Sequence, residues 1–193
     1  MNKNETKYQN TARLMDEALL RLLEKKEYEF ITVKEICQKA GVNRTTFYLH
    51  YDGMDDLLRE AIDELSKRFY DVFDADRVDP SADGTKSELF LVTPQYLKPY
   101  LNFILQNKIA FRLFYSKPKL FDVQKTFDGM YKDMFEPILR RFGVDKTDRK
   151  YIFAFYSGAV TAVIRQWVQN NYDKSVDDMV DLITDLMPSS LVK

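Results

Sequence analysis

The sequence predicts an all-α fold of about nine helices. Apolar residues recur at helical spacing along nearly the whole chain, and no stretch alternates apolar and polar residues as a half-buried strand does. With 6 Gly and 6 Pro in 193 residues, there is little material for the turns of an all-β fold.

The first helix is expected over about 8–27, with Leu14, Met15, Ala18, Leu19, Leu22 and Leu23 on one stripe. EKKEYEF breaks that pattern. Val33, Ile36, Cys37 and Ala40 then stand at i, i+3, i+4 and i+7. Thr32 and Glu35 form a capping box before them: the hydroxyl can accept from one orphan N–H and the carboxylate can reach back to another. Gly41 stops this helix, because a left-handed helix end suits glycine. Asn43 can cap the next helix, which turns Phe47 and Tyr51 inward. Asp52 can cap a longer one, with Leu58, Ile62, Leu65 and Phe69 inward. Residues 74–88, DADRVDPSADGTKSE, have no periodicity and are rich in Asp, Pro, Gly and Ser. They mark a boundary between domains 1–73 and 74–193. Thr93 as N-cap and Pro94 in the first turn open the second set. Helical patterns follow over about 94–107, 108–116, 118–142, 147–171 and 176–187, the last with Ser175 as N-cap.

Composition narrows the function. The chain is 45% hydrophobic and 31% charged, as an ordinary soluble globular protein is. One Cys excludes an internal disulfide framework and makes a reducing compartment the default. MNKNETKYQN is polar and lacks the apolar core of a secretory signal. No apolar run nears the ~18 residues needed to span a bilayer. The expectation is a cytoplasmic protein with no membrane partner. A net charge of −1 gives no global argument for nucleic acid. Locally, residues 31–51 carry Lys34, Lys39 and Arg44 against Glu35 alone, whereas residues 52–83 carry four basic residues against eleven acids. A basic surface would therefore be small and lie in the opening stretch.

Residues 31–51, ITVKEICQKAGVNRTTFYLHY, read as helix, glycine turn, helix. The first of these helices is too short to be stable alone and must pack on neighbours. Val42 can plug the angle between the two. The second exposes Arg44, Thr45, Thr46, Tyr48, Leu49 and His50, too many polar groups for a buried face. That is the layout of a helix-turn-helix whose second helix lies in a DNA major groove. Arg44, near the helix start, can reach guanine O6 and N7 together. Thr45 and Thr46 offer a hydroxyl to bases or phosphate and a methyl to thymine, and Leu49 can press on a thymine methyl. Tyr48 and His50 carry donors for phosphate oxygens, contacts that position rather than specify.

On these residues, the segment from about 8 to 72 resembles the N-terminal domain of the TetR/AcrR family of transcriptional regulators. The matching run is TVKEICQKAGVNRTTFYLHYDGMDDLL, with its Ala-Gly-Val turn, Thr-Phe-Tyr core and following His-Tyr. It covers about a third of the chain, and beyond it the agreement is architectural. The resemblance implies a three-helix DNA-binding domain and a larger helical regulatory and dimerisation domain. It further implies a homodimer on a near-palindromic operator in double-stranded DNA, and a repressor released by a small-molecule ligand. Base contacts are expected from Arg44, Thr45, Leu49 and Lys34, and phosphate contacts from Thr32, Tyr48 and His50 with Thr46 beside them. One position departs from the pattern. Where the family commonly has Lys, this chain has Met54, between Asp52 and the pair Asp55 and Asp56. Those acids complement the helix dipole but oppose a phosphate. The contact is expected to be missing or confined to backbone N–H groups, leaving affinity to Lys34, His50 and the arm residues Lys3, Lys7 and Arg13. This departure keeps a second reading open: a coactivator-like protein with weak DNA affinity, acting mainly through a protein partner. The ending GAV…VIRQWVQNNY…SVDDMVDLI resembles a subgroup that includes coactivators of dihydroxyacetone kinase operons.

In the C-terminal half, Ala154, Gly158 and Ala162 recur every four residues and would let another helix approach closely. With Val176, Met179, Val180 and Ile183 they are expected to form a four-helix dimer interface, a monomeric core being the alternative. Tyr100, Phe103, Phe114, Phe121, Tyr131, Phe135, Phe155 and Trp167 are candidates to line an apolar ligand cavity, against the commoner role of such aromatics as plain core. Cys37 sits on an apolar stripe as a small hydrophobe. One Cys and one His are too few for the usual metal sets. Asp177, Asp178, Asp181 and Asp185 read as a solvated face. Nothing assembles a nucleophile, a base or a phosphate loop, so neither an enzyme nor a cofactor is expected.

Overall fold

The structure, a computed structural model, describes residues 3–72, 94–121, 123–141 and 143–186. The expected loop over 74–88, the Thr93 cap and the Lys3 side chain lie outside the described residues. Every regular element described is helical, and the chain divides into two compact units, Met1–Arg68 and Phe69–Lys193.

The first unit holds α1 (Lys3–Leu23), a 3-10 turn (Tyr28–Phe30), α2 (Val33–Ala40), α3 (Arg44–His50) and α4 (Met54–Asp71), whose last turn counts with the second unit. Its core is Met15, Ala18, Leu19 and Leu23 of α1 against Ile31, Ile36, Cys37, Ala40, Phe47, Tyr51 and Leu57. Leu14, expected on the inner stripe, is 44% exposed. On α4 the fully buried leucine is Leu57, and Leu58 is only partly covered.

Local chemistry accounts for the joints. Glu35 N–H donates to Thr32 Oγ1 at 3.4 Å and Thr32 N–H to Glu35 Oε2 at 3.0 Å, so the capping box closes in both directions. Lys26 Nζ reaches the same carboxylate and holds the loop after α1 against α2. Gly41 stands at φ 70°, and Val42 N–H turns back onto Cys37 O at 3.0 Å. Asn43 Oδ1 accepts from Thr46 N–H at 2.8 Å and opens α3. Asp52 does not cap α4. Leu57 N–H bonds to Gly53 O, which makes Gly53 the cap, and Asp52 instead donates its own N–H to Asp56 Oδ2 at 3.0 Å.

The second unit holds α5 (Pro94–Gln106), α6 (Lys108–Ser116), a 3-10 turn (Pro118–Leu120), α7 (Val123–Met130), a π-helical turn (Tyr131–Phe135), α8 (Glu136–Arg141), α9 (Arg149–Gln169) and α10 (Val176–Leu186). The single helix expected over 118–142 is thus a short turn followed by a rod with a widened middle. Pro137 explains the widening: it has no N–H for the Asp133 carbonyl and its ring crowds that carbonyl. The turn just before it relaxes to a π geometry, with Glu136 N–H on Tyr131 O. Taking this rod as one helix, the described residues form nine.

The core of this unit gathers Leu97, Leu101 and Ile104 of α5, Leu139 of α8, Tyr156, Ile164, Trp167 and Val168 of α9, and Met179, Val180 and Ile183 of α10. Trp167 donates its indole N–H to Lys174 O at 3.0 Å and fastens the link into α10. That link is strained: Asn171 and Tyr172 both have positive φ, 55° and 61°. Tyr172 is held there by its hydroxyl on Lys108 O at 3.0 Å and by an edge contact with Trp167. Ser175 caps α10 by accepting from Asp178 N–H at 3.1 Å, and Asp178 returns the bond.

Candidate nucleic-acid interface

Helix α3 presents two unlike faces. Phe47 is fully buried and Tyr51, just past the helix, is nearly so. Arg44, Thr45, Tyr48 and Leu49 face solvent, Leu49 at 72% exposure. Keeping a leucine this exposed next to a buried phenylalanine forgoes apolar burial worth about 1.5–3 kcal/mol. Lys34, early in α2, is exposed as well. The four residues expected to touch bases are therefore all on the outside.

The expected phosphate residues are arranged differently. The Thr32 hydroxyl donates to Glu35 Oε2 at 2.8 Å, and the Thr46 hydroxyl donates to Asn43 Oδ1 at 3.0 Å. A phosphate oxygen only accepts, so either hydroxyl would have to give up its present side-chain acceptor to serve it, while the backbone N–H caps on Thr32 Oγ1 and Asn43 Oδ1 could stay. Tyr48 is one turn from Arg44, and its phenol is the leading contributor to the raised Arg44 pKa. His50, at the end of α3, is half-buried, and burial lowers its imidazole pKa from the ordinary value. At neutral pH it offers a neutral N–H rather than a positive charge.

Two carboxylates at the start of α4 are tied to partners of their own. Asp56 pairs with Arg59, and Tyr28 donates its hydroxyl to Asp55 Oδ1 at 2.6 Å. Met54 begins α4 half-covered. Behind the helix-turn-helix, Asp16 accepts from the Tyr51 hydroxyl at 3.2 Å, and burial first, then the nearby Glu60 and Glu64, push its pKa up to about 6 against the pull of that bond.

Comparison with known proteins gives this geometry a family. Residues 17–61 match the family described as bacterial regulatory proteins, tetR family, and residues 93–189 match the C-terminal region of TetR-type transcriptional regulators. The chain belongs to the TetR family of transcriptional regulators. An uncharacterized HTH-type transcriptional regulator of Bacillus subtilis, YxbF, is 25% identical over 179 residues, covering 89% of this chain and 43% of that protein. The chain thus spans less than half the length of that relative. The dhaKLM operon transcriptional activator DhaS of Lactococcus lactis is 24% identical over 187 residues, covering 90% of this chain and 88% of that protein. Among solved structures, the B. subtilis transcriptional regulator FadR in complex with stearoyl-CoA superposes with a TM-score of 0.66 at 15% identity, over 90% of this chain and 96% of that one. Among the described residues no helix is long and apolar enough to cross a membrane.

In this TetR chain the residues expected to line a ligand cavity fall into four places. Tyr100, Phe103, Phe114 and Phe121 join a run of ring contacts with Phe69 and Phe111, such as Phe69 to Phe103 at 5.8 Å and Phe114 to Phe121 at 5.6 Å. Tyr131 and Phe135 belong to a second group around Phe153, a residue the sequence did not single out, at 5.4 Å and 4.9 Å. Phe155 is on the outside, 55% exposed, because α9 turns Phe153 and Tyr156 inward instead. Trp167 is fully buried in the core with its N–H satisfied.

The residues expected at a dimer interface also separate. Ala154, Gly158 and Ala162 are exposed on α9, in line with Tyr151 at 80% and Phe155. Met179, Val180 and Ile183 are buried in the chain's own core, with Val176 packed against it, so the outward apolar residues of α10 are Leu182 and Leu186. Periodicity finds the apolar face of a helix and does not say which body that face meets.

Proposed function

We propose that this chain is a homodimeric regulator that reads a near-palindromic duplex with α3 and responds to an effector held in its second unit. The outward face of α3 carries the reading: exposed Arg44, with Thr45 and Leu49 beside it, on a helix anchored by buried Phe47. Arg44 reads guanine, Leu49 and the Thr45 methyl press on thymine, and Lys34 adds a contact from α2. Dimerisation by α9 and α10 is supported by their outer stripe of Tyr151, Ala154, Phe155, Gly158, Ala162, Leu182 and Leu186, which mixes small and large apolar groups at helical spacing. An apolar effector in the second unit is supported by the run of rings from Tyr100 to Phe121, and the FadR neighbour is described with a bound acyl-CoA. In the simplest form the effector releases a repressor from DNA, and it does so only by as much as it prefers the DNA-free state.

The acidic start of α4, with Met54 where a phosphate-gripping lysine is expected, favours a second reading, and one relative is described as a transcriptional activator. In that reading the chain has weak DNA affinity and acts through a protein partner. Selection of bound duplexes from a randomised pool tests the choice. The first reading expects enrichment of an inverted repeat whose half-sites are one helical turn apart. No enrichment at low salt, together with a stable complex to a partner protein, favours the second.

A further inference from the structure

Tyr8, near the start of α1, stacks its ring on His50, with centroids 3.8 Å apart and planes within 20°. The other ring beside His50 is Tyr51 at 5.9 Å, whose hydroxyl is bonded to Asp16. His50 Nδ1 is shut off from solvent and has no hydrogen-bond partner among the described residues. A buried N–H without a partner is rarer than an under-satisfied acceptor, so Nδ1 is assigned as the unprotonated nitrogen and Nε2 carries the hydrogen. The imidazole then has one donor, and the stack fixes where it points. Tyr8 itself keeps about half of its surface in solvent (51%), so the contact does little for the core.

We propose that Tyr8 is a positioning residue of the DNA-binding head, holding His50 so that its Nε2–H serves as a phosphate donor at the end of the recognition helix. This rests on the DNA-binding reading above. The same stack ties the first turns of α1, including exposed Lys7, to the end of α3, so two segments that can reach the backbone move together. Burial is the one cause of the lowered His50 pKa, with no charged side chain contributing; the ionisable neighbours are Tyr8 and Tyr51, with Asp16 behind Tyr51.

The chain has a single histidine, so in untagged protein one imidazole resonance reports it. The wild-type titration midpoint is expected below the usual value. Tyr8→Ala should move it up toward about 6.5, and Tyr8→Phe, which keeps the ring, should leave it in place. On duplex DNA, Tyr8→Ala and His50→Ala should each weaken binding about tenfold to cognate and scrambled sites alike, and the double variant should be no weaker than either single one. Tyr8→Phe should bind within about twofold of wild type. An unmoved midpoint in Tyr8→Ala, or losses that multiply in the double variant, would overturn the proposal. Absence of duplex binding by the wild-type chain at low salt would overturn the DNA reading and this proposal together, and the titration would then show whether the stack itself was intact.

Discussion

Replacing Asp16 by Asn should make the first unit more stable at neutral pH. The carboxyl is raised from its ordinary 3.8 to about 6, mainly by burial and then by Glu60, Glu64 and Glu17, while its bond from Tyr51 pulls the other way. The folded state therefore holds the proton more tightly than the unfolded chain. Stability from this group is full below the unfolded value and is lost as pH rises through about 6. A gap of that size corresponds to at most about 3 kcal/mol once the group is ionised. Solvent reaches part of the carboxyl, and the charged oxygen makes a stronger bond to Tyr51 than an amide oxygen would, so we expect a gain of about 1–2 kcal/mol for Asp16→Asn at pH 7.5. At pH 4 the aspartate is protonated in the fold, and the two proteins should agree within about 0.5 kcal/mol. Native-state hydrogen exchange of amides in α1 and α3, corrected for intrinsic rates, reads this unit apart from the second. Destabilisation at pH 7.5, or an equal change at both pH values, would refute the argument.

Further substitutions probe the frame. A Cβ at Gly129 would run into the Tyr70 hydroxyl, which donates to Thr126 O. Gly129→Ala should therefore destabilise the second unit by about 1–3 kcal/mol, and adding Tyr70→Phe should recover most of it in urea titrations followed by Trp167 fluorescence. Thr32→Ala opens the capping box and should cost about 1–2 kcal/mol in exchange protection of α2. Gly41→Ala meets no atom within 4 Å but keeps a φ of 70°, so its loss should be backbone strain alone, about 1 kcal/mol. Asn171→Gly should stabilise the turn into α10 by a few tenths of a kcal/mol, seen as a small rise in Tm.

How far the sequence could be read follows from the reach of each interaction. The turn between α2 and α3 was legible because its parts act within a few residues: Thr32 on Glu35, Gly41 at a helix end, Asn43 on Thr46. The fate of Asp52 was not, because Asp56 competes for its backbone and Gly53 takes the cap. The π turn had a local sign in Pro137, but the proline only removes a bond, and how the helix closes around the gap depends on packing. On α9, apolar residues run nearly all the way round, so spacing could not tell inward Phe153 from outward Phe155. The stack of Tyr8 on His50 joins the first helix to the third and leaves no periodic trace. The hydroxyls of Thr32 and Thr46 had the right chemistry for phosphate, and only the fold shows them already engaged.

On the proposed function, α3 reads base sequence through Arg44. Equilibrium binding of wild type and Arg44→Ala to a selected site and to its scrambled counterpart, across a range of salt, tests it most directly. Wild-type affinity should fall steeply with salt on both duplexes. Arg44→Ala should shrink the preference for the selected site by about 10- to 100-fold while leaving scrambled binding much less affected. An Arg44→Ala protein with the same cognate-to-scrambled ratio as wild type would contradict the account.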